Sequence, residues 1–172
     1  MQQLPTPSQI EFFCQPNRQK FNRVYLNGID FTGATLSGLD LRGADFGGID
    51  LSWANLAGAN LFGANLSWAN LFGANLSRAN LSGAFLIGVN LSWANLSQAD
   101  FSEANLNGAD LFGADLSQAN LKWVSLVKAD LRYANLRGTT LRWAKLQGAK
   151  YSARTIWADG INPAQTGALL VS

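Results

Sequence analysis

Every fifth residue from Leu26 to Leu146 is leucine or phenylalanine, with no break in phase: Phe at 31, 46 and 101, Leu elsewhere. Most pentads also carry Ala two residues before that position and Asn or Asp one residue before it, so the unit reads Ala-(Asn/Asp)-Leu-x-x. A period this short excludes the usual ways of building a core. On an α-helix each step of five rotates the side chain by roughly 500°, about 140° net, and the leucines would wander around every side. In a straight strand residues five apart point to opposite faces, and half the leucines would meet water. A chain that turns a corner once per pentad solves both problems. The Ala and Leu positions then point inward, while the Asn/Asp position and the residue after Leu point outward. The fifth residue negotiates the bend, where Gly58, Gly63 and Gly73 are typical, because glycine reaches backbone angles that a Cβ disfavours. The chain is a solenoid.

Handedness and the number of sides do not follow from the period alone. Tandem units such as Ala54-Asn55-Leu56-Ala57-Gly58, Ala59-Asn60-Leu61-Phe62-Gly63 and Ala109-Asp110-Leu111-Phe112-Gly113 closely resemble the pentapeptide repeat family, and the stretch from Tyr151 to Gly167 resembles the C-terminal tail of many of its cyanobacterial members. The resemblance covers about residues 22 to 151. It implies an all-β fold, a right-handed quadrilateral parallel β-helix with twenty residues per coil. Stacking at roughly 4.8 Å would then give about 6 to 7 coils and a rod about 30 Å long.

Each coil of such a rod is stable only on its neighbours, and its open ends need covers. Residues 1–21 are expected to form an N-terminal cap segment: Ser8 and Glu11 make a capping-box pattern, and Ile10, Phe13 and Cys14 share one face of a short helix ended by Pro16. Residues 152–172 are expected to form a C-terminal cap. There Ile156 and Trp157 would cover the last coil, and Asn162 and Pro163 would start a short helix stopped by Gly167. The large residues Val24, Ile29, Leu39 and Ile49 at the Ala position predict a wider interior in the first coils.

The net charge is +2, but residues 121 to 154 hold eight basic groups against the single Asp130. Residues 1 to 120 hold nine acids and five bases, so the rod should be electrically polar along its axis. The lone Cys14 permits no internal disulfide and fits a reducing compartment. No apolar run approaches a membrane span and no secretory leader is evident, which predicts a cytoplasmic protein with no membrane contact.

The chain has no His, and its predicted interior is leucine and alanine, which leaves no protected place for a nucleophile, base or metal. Zinc-ligand spacing, a phosphate loop and a catalytic triad are all missing. No enzyme, no cofactor and no small-molecule substrate are expected. The carboxylates fall almost only at the position before Leu, where they read as backbone-bonding ladder residues.

Outward bulky residues are the better clue. With twenty residues per coil, Trp53, Phe72, Trp93, Phe112 and Tyr133 share one side as an aromatic stripe, and Trp68, Phe85 and Ile87 share another, with Phe85 replacing the usual Asn. Trp123 and Trp143 stack on a third side, and the side through Ala57, Ser77, Ser97, Ser117 and Arg137 is polar. Exposed apolar patches mark contact sites, whereas stacked aromatics also stabilise neighbouring strands. The preferred reading is a non-catalytic structural or interaction scaffold that binds an unidentified protein or a second copy of itself. Some family members imitate DNA and inhibit type II topoisomerases, which requires an acidic rod, and this one is too basic. A third reading is contact with nucleic acid or an acidic partner through a basic patch of Lys122, Arg132, Arg137, Arg142 and Lys145, and it ranks low for nucleic acid. The fourth is glycan binding along the stripe.

Overall fold

A computed structural model describes residues 31–171, and within it the pentad is also the structural unit. Each corner is a four-residue turn running from the Leu position to the next Ala. The Ala59 N–H donates to the Leu56 carbonyl at 3.0 Å, and Gly58 in the third place has a φ of 66°, the positive value that a type II turn demands there. Only the Asn/Asp position between two corners is left for pairing. The β-bridges are therefore one residue long.

Those bridges are parallel and join residues twenty apart in four registers, seen in Asn55 with Asn75, Asn60 with Asn80, Asn65 with Phe85 and Asn70 with Asn90. Four walls per turn of the coil follow. Each bridge has two arms: the Leu56 N–H donates to the Asn75 carbonyl at 2.7 Å, and the Asn75 N–H donates to the Ala54 carbonyl at 2.9 Å. A third bond ties successive corners, from the Gly58 N–H to the Ser77 carbonyl at 2.8 Å.

Leucines and alanines fill the interior. Leu56, Leu76 and Leu96 are fully buried, as are Ala54, Ala74 and Ala94 within one exposure percentage point. Ile49 is buried at an Ala position and Leu39 is half-buried against the same core, while Val24 and Ile29 lie outside the described residues. The Asn/Asp side chains run along the wall. Asn75 Oδ1 accepts the Ser77 N–H at 3.1 Å, and Asn75 Nδ2 donates to Asn55 Oδ1, one coil earlier, at 3.3 Å. Aspartates join as acceptors, with Asn70 donating to Asp50 at 3.1 Å and Asn120 to Asp100 at 2.9 Å.

The register changes after strand β1 (Lys150–Tyr151), where one extra residue sets Asn135 opposite Ile156. Thr155 stitches the insertion: its Oγ1 accepts the Ser152 N–H at 3.0 Å and donates to the Leu131 carbonyl at 2.9 Å. Strand β2 (Leu169–Leu170) then pairs in parallel with β1. The helix expected after Asn162 is a single 3-10 turn, Pro163–Gln165, with Asn162 Oδ1 accepting the Ala164 N–H at 3.1 Å and Thr166 as its last cap. Three residues cannot complete an α-helical turn before Gly167 reverses the backbone at a φ of 80°. Trp157 packs against the core, but Ile156 does not cover it. As a bridging residue Ile156 takes the outward place and is 53% exposed. The N-terminal capping helix expected near residues 8 to 14 lies outside the described residues. No helix among the described residues is long and apolar enough to cross a membrane.

Candidate functional site

Each of the four corners of the coil forms a straight column, because the residue twenty further on occupies the same place one coil away. The first column brings together Trp53, Phe72, Trp93, Phe112 and Tyr133. Trp53 meets Phe72 edge-on with ring centres 5.3 Å apart, Trp93 meets Phe112 at 5.7 Å, and Phe112 is tilted against Tyr133 at 4.9 Å. Trp53 and Trp93 occupy the positive-φ place of their turns, at 61° and 60°, and their indoles lie across Gly73 and Gly113 in the following coil. A Cβ on Gly73 would come within 2.6 Å of the Trp53 ring, and one on Gly113 within 2.8 Å of the Trp93 ring. The ring fills the space that the next corner's side chain would need. Tryptophan and glycine therefore alternate along this column for a steric reason.

Conformation alone argues against large residues at these places. Left-handed backbone costs about 1–2 kcal/mol in any residue with a Cβ, yet five of the six tryptophans (Trp53, Trp68, Trp93, Trp123 and Trp143) adopt it. Their packing or their contacts must offset that strain.

The second column holds Trp68 and Ile87, with Phe85 on the adjoining wall. Among the described residues Trp68 is the most exposed large apolar side chain at 72%, and its indole lies across Gly88. Phe85 is 52% exposed and keeps its backbone bridges to Asn65 and Asn105. Its ring can neither accept from the Asn105 amide nor donate to Asn65, so the side-chain ladder of that wall is cut at this coil.

In the third column Trp123 and Trp143 stack nearly parallel, 4.3 Å apart and 12° from coplanar. The Arg142 guanidinium lies 3.8 Å from the centre of the Trp143 ring and the Lys122 ammonium 5.5 Å from it. With one face against Trp123, the Trp143 ring has its other face against Arg142. Phe62, 54% exposed in the same column, was not part of either apolar group read from the sequence, although it holds the same place in its pentad as Phe72. Leu169 and Leu170 are also exposed, and no repeat phase in the tail signals them.

The five basic residues are spread over three corners and one wall. Lys122 and Arg142 share the third column and Lys145 stands on the wall two residues beyond Trp143. Arg137 belongs to the fourth, polar column, where Arg78 donates to Gln98 at 3.2 Å. Arg132 sits at the first column and is committed to Asp130 by an ion pair of 2.6 Å. Burial pushes the Asp130 carboxyl up, but hydrogen bonds from the Arg132 side chain and N–H, with the charges of Arg132 and Lys150, outweigh it and hold the group below its ordinary value. Asp50 is also held low, chiefly by the Ser52 hydroxyl and N–H.

Among the described residues no group of three His, Cys, Asp or Glu side chains could hold a metal ion. Asp50, Asp100 and Asp115 instead accept backbone N–H groups at 2.9 Å, 2.9 Å and 3.0 Å.

The model of the family described as pentapeptide repeats matches eight copies over residues 17–48, 49–86, 86–122 and 114–150. Among solved structures, alr5209, a pentapeptide repeat protein from Nostoc PCC 7120, is 39% identical with a TM-score of 0.59, over 59% of this chain and 84% of that one. HetL, from the cyanobacterium Nostoc sp. strain PCC 7120 and involved in regulating heterocyst differentiation, is 29% identical with a TM-score of 0.58, over 81% of this chain and 80% of that one. No protein of curated function matches. The repeat match spans most of the sequence, so the chain belongs to the pentapeptide repeat family, and this membership implies that its coil is a right-handed β-helix.

Proposed function

We propose that this protein is a non-catalytic interaction rod of about six to seven coils that holds a protein partner against Trp68, Phe85 and Ile87. One observation carries the reading. At Phe85 the wall gives up its amide ladder and presents a half-exposed ring beside an indole that is 72% exposed. Neither choice helps the coil, since Asn at 85 would add side-chain bonds and Gly at 68 would relieve the left-handed strain. Contiguous exposed apolar groups of this kind suit the centre of a protein contact.

A DNA-mimicking role has less support. It needs carboxylates presented outward as phosphates are, whereas Asp50, Asp100 and Asp115 are engaged with the backbone and the last coils are basic.

Affinity capture from source cells with the wild-type chain, Phe85→Asn and Trp68→Gly tests the reading. A partner retained by the wild type and released by both variants is the expected result. Equal capture by all three chains would overturn it.

A further inference from the structure

Trp53, Trp93 and Tyr133 are each forty residues apart, which is two coils, and all three hold the positive-φ place of the same corner, at 61°, 60° and 62°. With parallel strands stacked at roughly 4.8 Å, the rings recur every 9.6 Å or so along a line about 19 Å long. Trp53 and Trp93 each lie across a glycine and meet Phe72 and Phe112 edge-on, and they remain 62% and 57% exposed. Tyr133, tilted against Phe112 and with the Arg154 guanidinium 5.8 Å from its ring centre, continues the line with 43% exposure.

We propose that this ridge binds an extended β-1,4-linked glycan chain, with every second sugar stacked on one of the three rings. In such a chain consecutive sugars alternate in orientation, so the same pyranose face returns after each disaccharide, a repeat that closely matches two coils of this helix. The axial C–H groups of that face meet the indole as an apolar surface. Polar groups stand beside the rings to meet hydroxyls. The Asn95 amide, two residues after Trp93, is exposed; its Oδ1 accepts the Ser97 N–H at 3.1 Å, and its Nδ2 makes no hydrogen bond among the described residues. Exposed Asp110, two residues before Phe112, accepts one backbone N–H and keeps its other oxygen for an outside donor.

Charge and area select the occupant. From Ser52 to Gly113 the column itself is Ser, Trp, Phe and Gly, and the ionic groups beside the ridge, Asp110 on the preceding wall and Arg132 and Arg154 at the Tyr133 end, are of mixed sign and select no charged polymer. A ridge one side chain wide is also far narrower than the roughly 800 Å² per partner of a stable protein interface. A neutral, linear, single-chain ligand fits both limits. The ridge is a different surface from the Phe85 patch, and neither proposal depends on the other.

The test uses the purified full chain with cellohexaose in solution and microcrystalline cellulose as a solid phase, with laminarihexaose, whose β-1,3 linkages lack the flat two-sugar repeat, as control. Tryptophan fluorescence and calorimetry are expected to report binding of cellohexaose over laminarihexaose. The combined variant Trp53→Gly, Trp93→Gly and Tyr133→Gly should weaken binding by at least about tenfold. Because glycine suits the left-handed corner, this variant should keep the coil, and a cooperative thermal melt with an unchanged hydrodynamic radius verifies that. Trp68→Gly and Phe85→Asn should bind as the wild type does. A wild-type chain that ignores both cellohexaose and cellulose overturns the proposal, as does a triple variant that binds equally well.

Discussion

The indole of Trp53 lies across Gly73, its counterpart one coil on, so closely that a methyl group there would stand 2.6 Å from the ring. Residues twenty apart in sequence thus constrain each other through a single packing contact. The same pairing recurs between Trp93 and Gly113 and between Trp68 and Gly88.

Gly73→Ala should therefore destabilise the coil twice over, through its left-handed φ of 63° and through the indole. We expect a loss of about 1–3 kcal/mol, read as a lower denaturation midpoint. In a Trp53→Gly background the steric part disappears, so the two changes should couple by about 0.5 kcal/mol or more. Strict additivity would show that the ring does not rest on Gly73 in solution.

Phe85→Asn should raise stability by about 1 kcal/mol, because an amide there can bond to Asn65 below and Asn105 above. Phe85→Ala, which restores no bond, should not. Thermal melts of both variants decide the matter: a lower melting temperature for the asparagine variant would mean that the Phe85 ring stabilises the wall.

Acid should weaken the rod. Asp50 and Asp130 titrate below their ordinary value of 3.8 in the folded state, so they bind fewer protons folded than unfolded near that pH. Their stabilisation is complete above about pH 5 and is lost as the pH falls through their lowered folded values. Arg132→Gln removes the guanidinium that opposes burial at Asp130, and should reduce the drop in melting temperature between neutral and acid solution. The same acid dependence in both proteins would refute the role of the pair.

Stacked at 4.3 Å, Trp123 and Trp143 should give an exciton couplet in the far-ultraviolet dichroism. Replacing either indole with Leu should abolish it and cost about 0.5–1.5 kcal/mol of stability. A couplet that survives Trp143→Leu would place its source elsewhere in the chain.

Much of the surface arrangement was legible because a strict period makes position predictable. Once residues twenty apart are neighbours, the grouping of Trp53 with Trp93, and of Trp123 with Trp143, follows by counting. Counting failed where the period lapses. Ile156 was expected over the core, but the extra residue after β1 moved it to an outward bridge. Local capping signals fared differently there: Asn162 and Pro163 are the N-cap and first residue of a short helix, a single 3-10 turn.

By itself the sequence determined the solenoid, because only a chain bent once per pentad can turn every fifth leucine to a common dry axis. It also determined which residues share a corner, since that needs only the coil length. What the tertiary structure decided is how each ring is used: Trp53 lies flat on Gly73, Trp143 is held between Trp123 and Arg142, and Phe85 interrupts an amide ladder. Those outcomes depend on turn geometry and on the space left by the next coil, and neither is encoded in the identity of any single pentad.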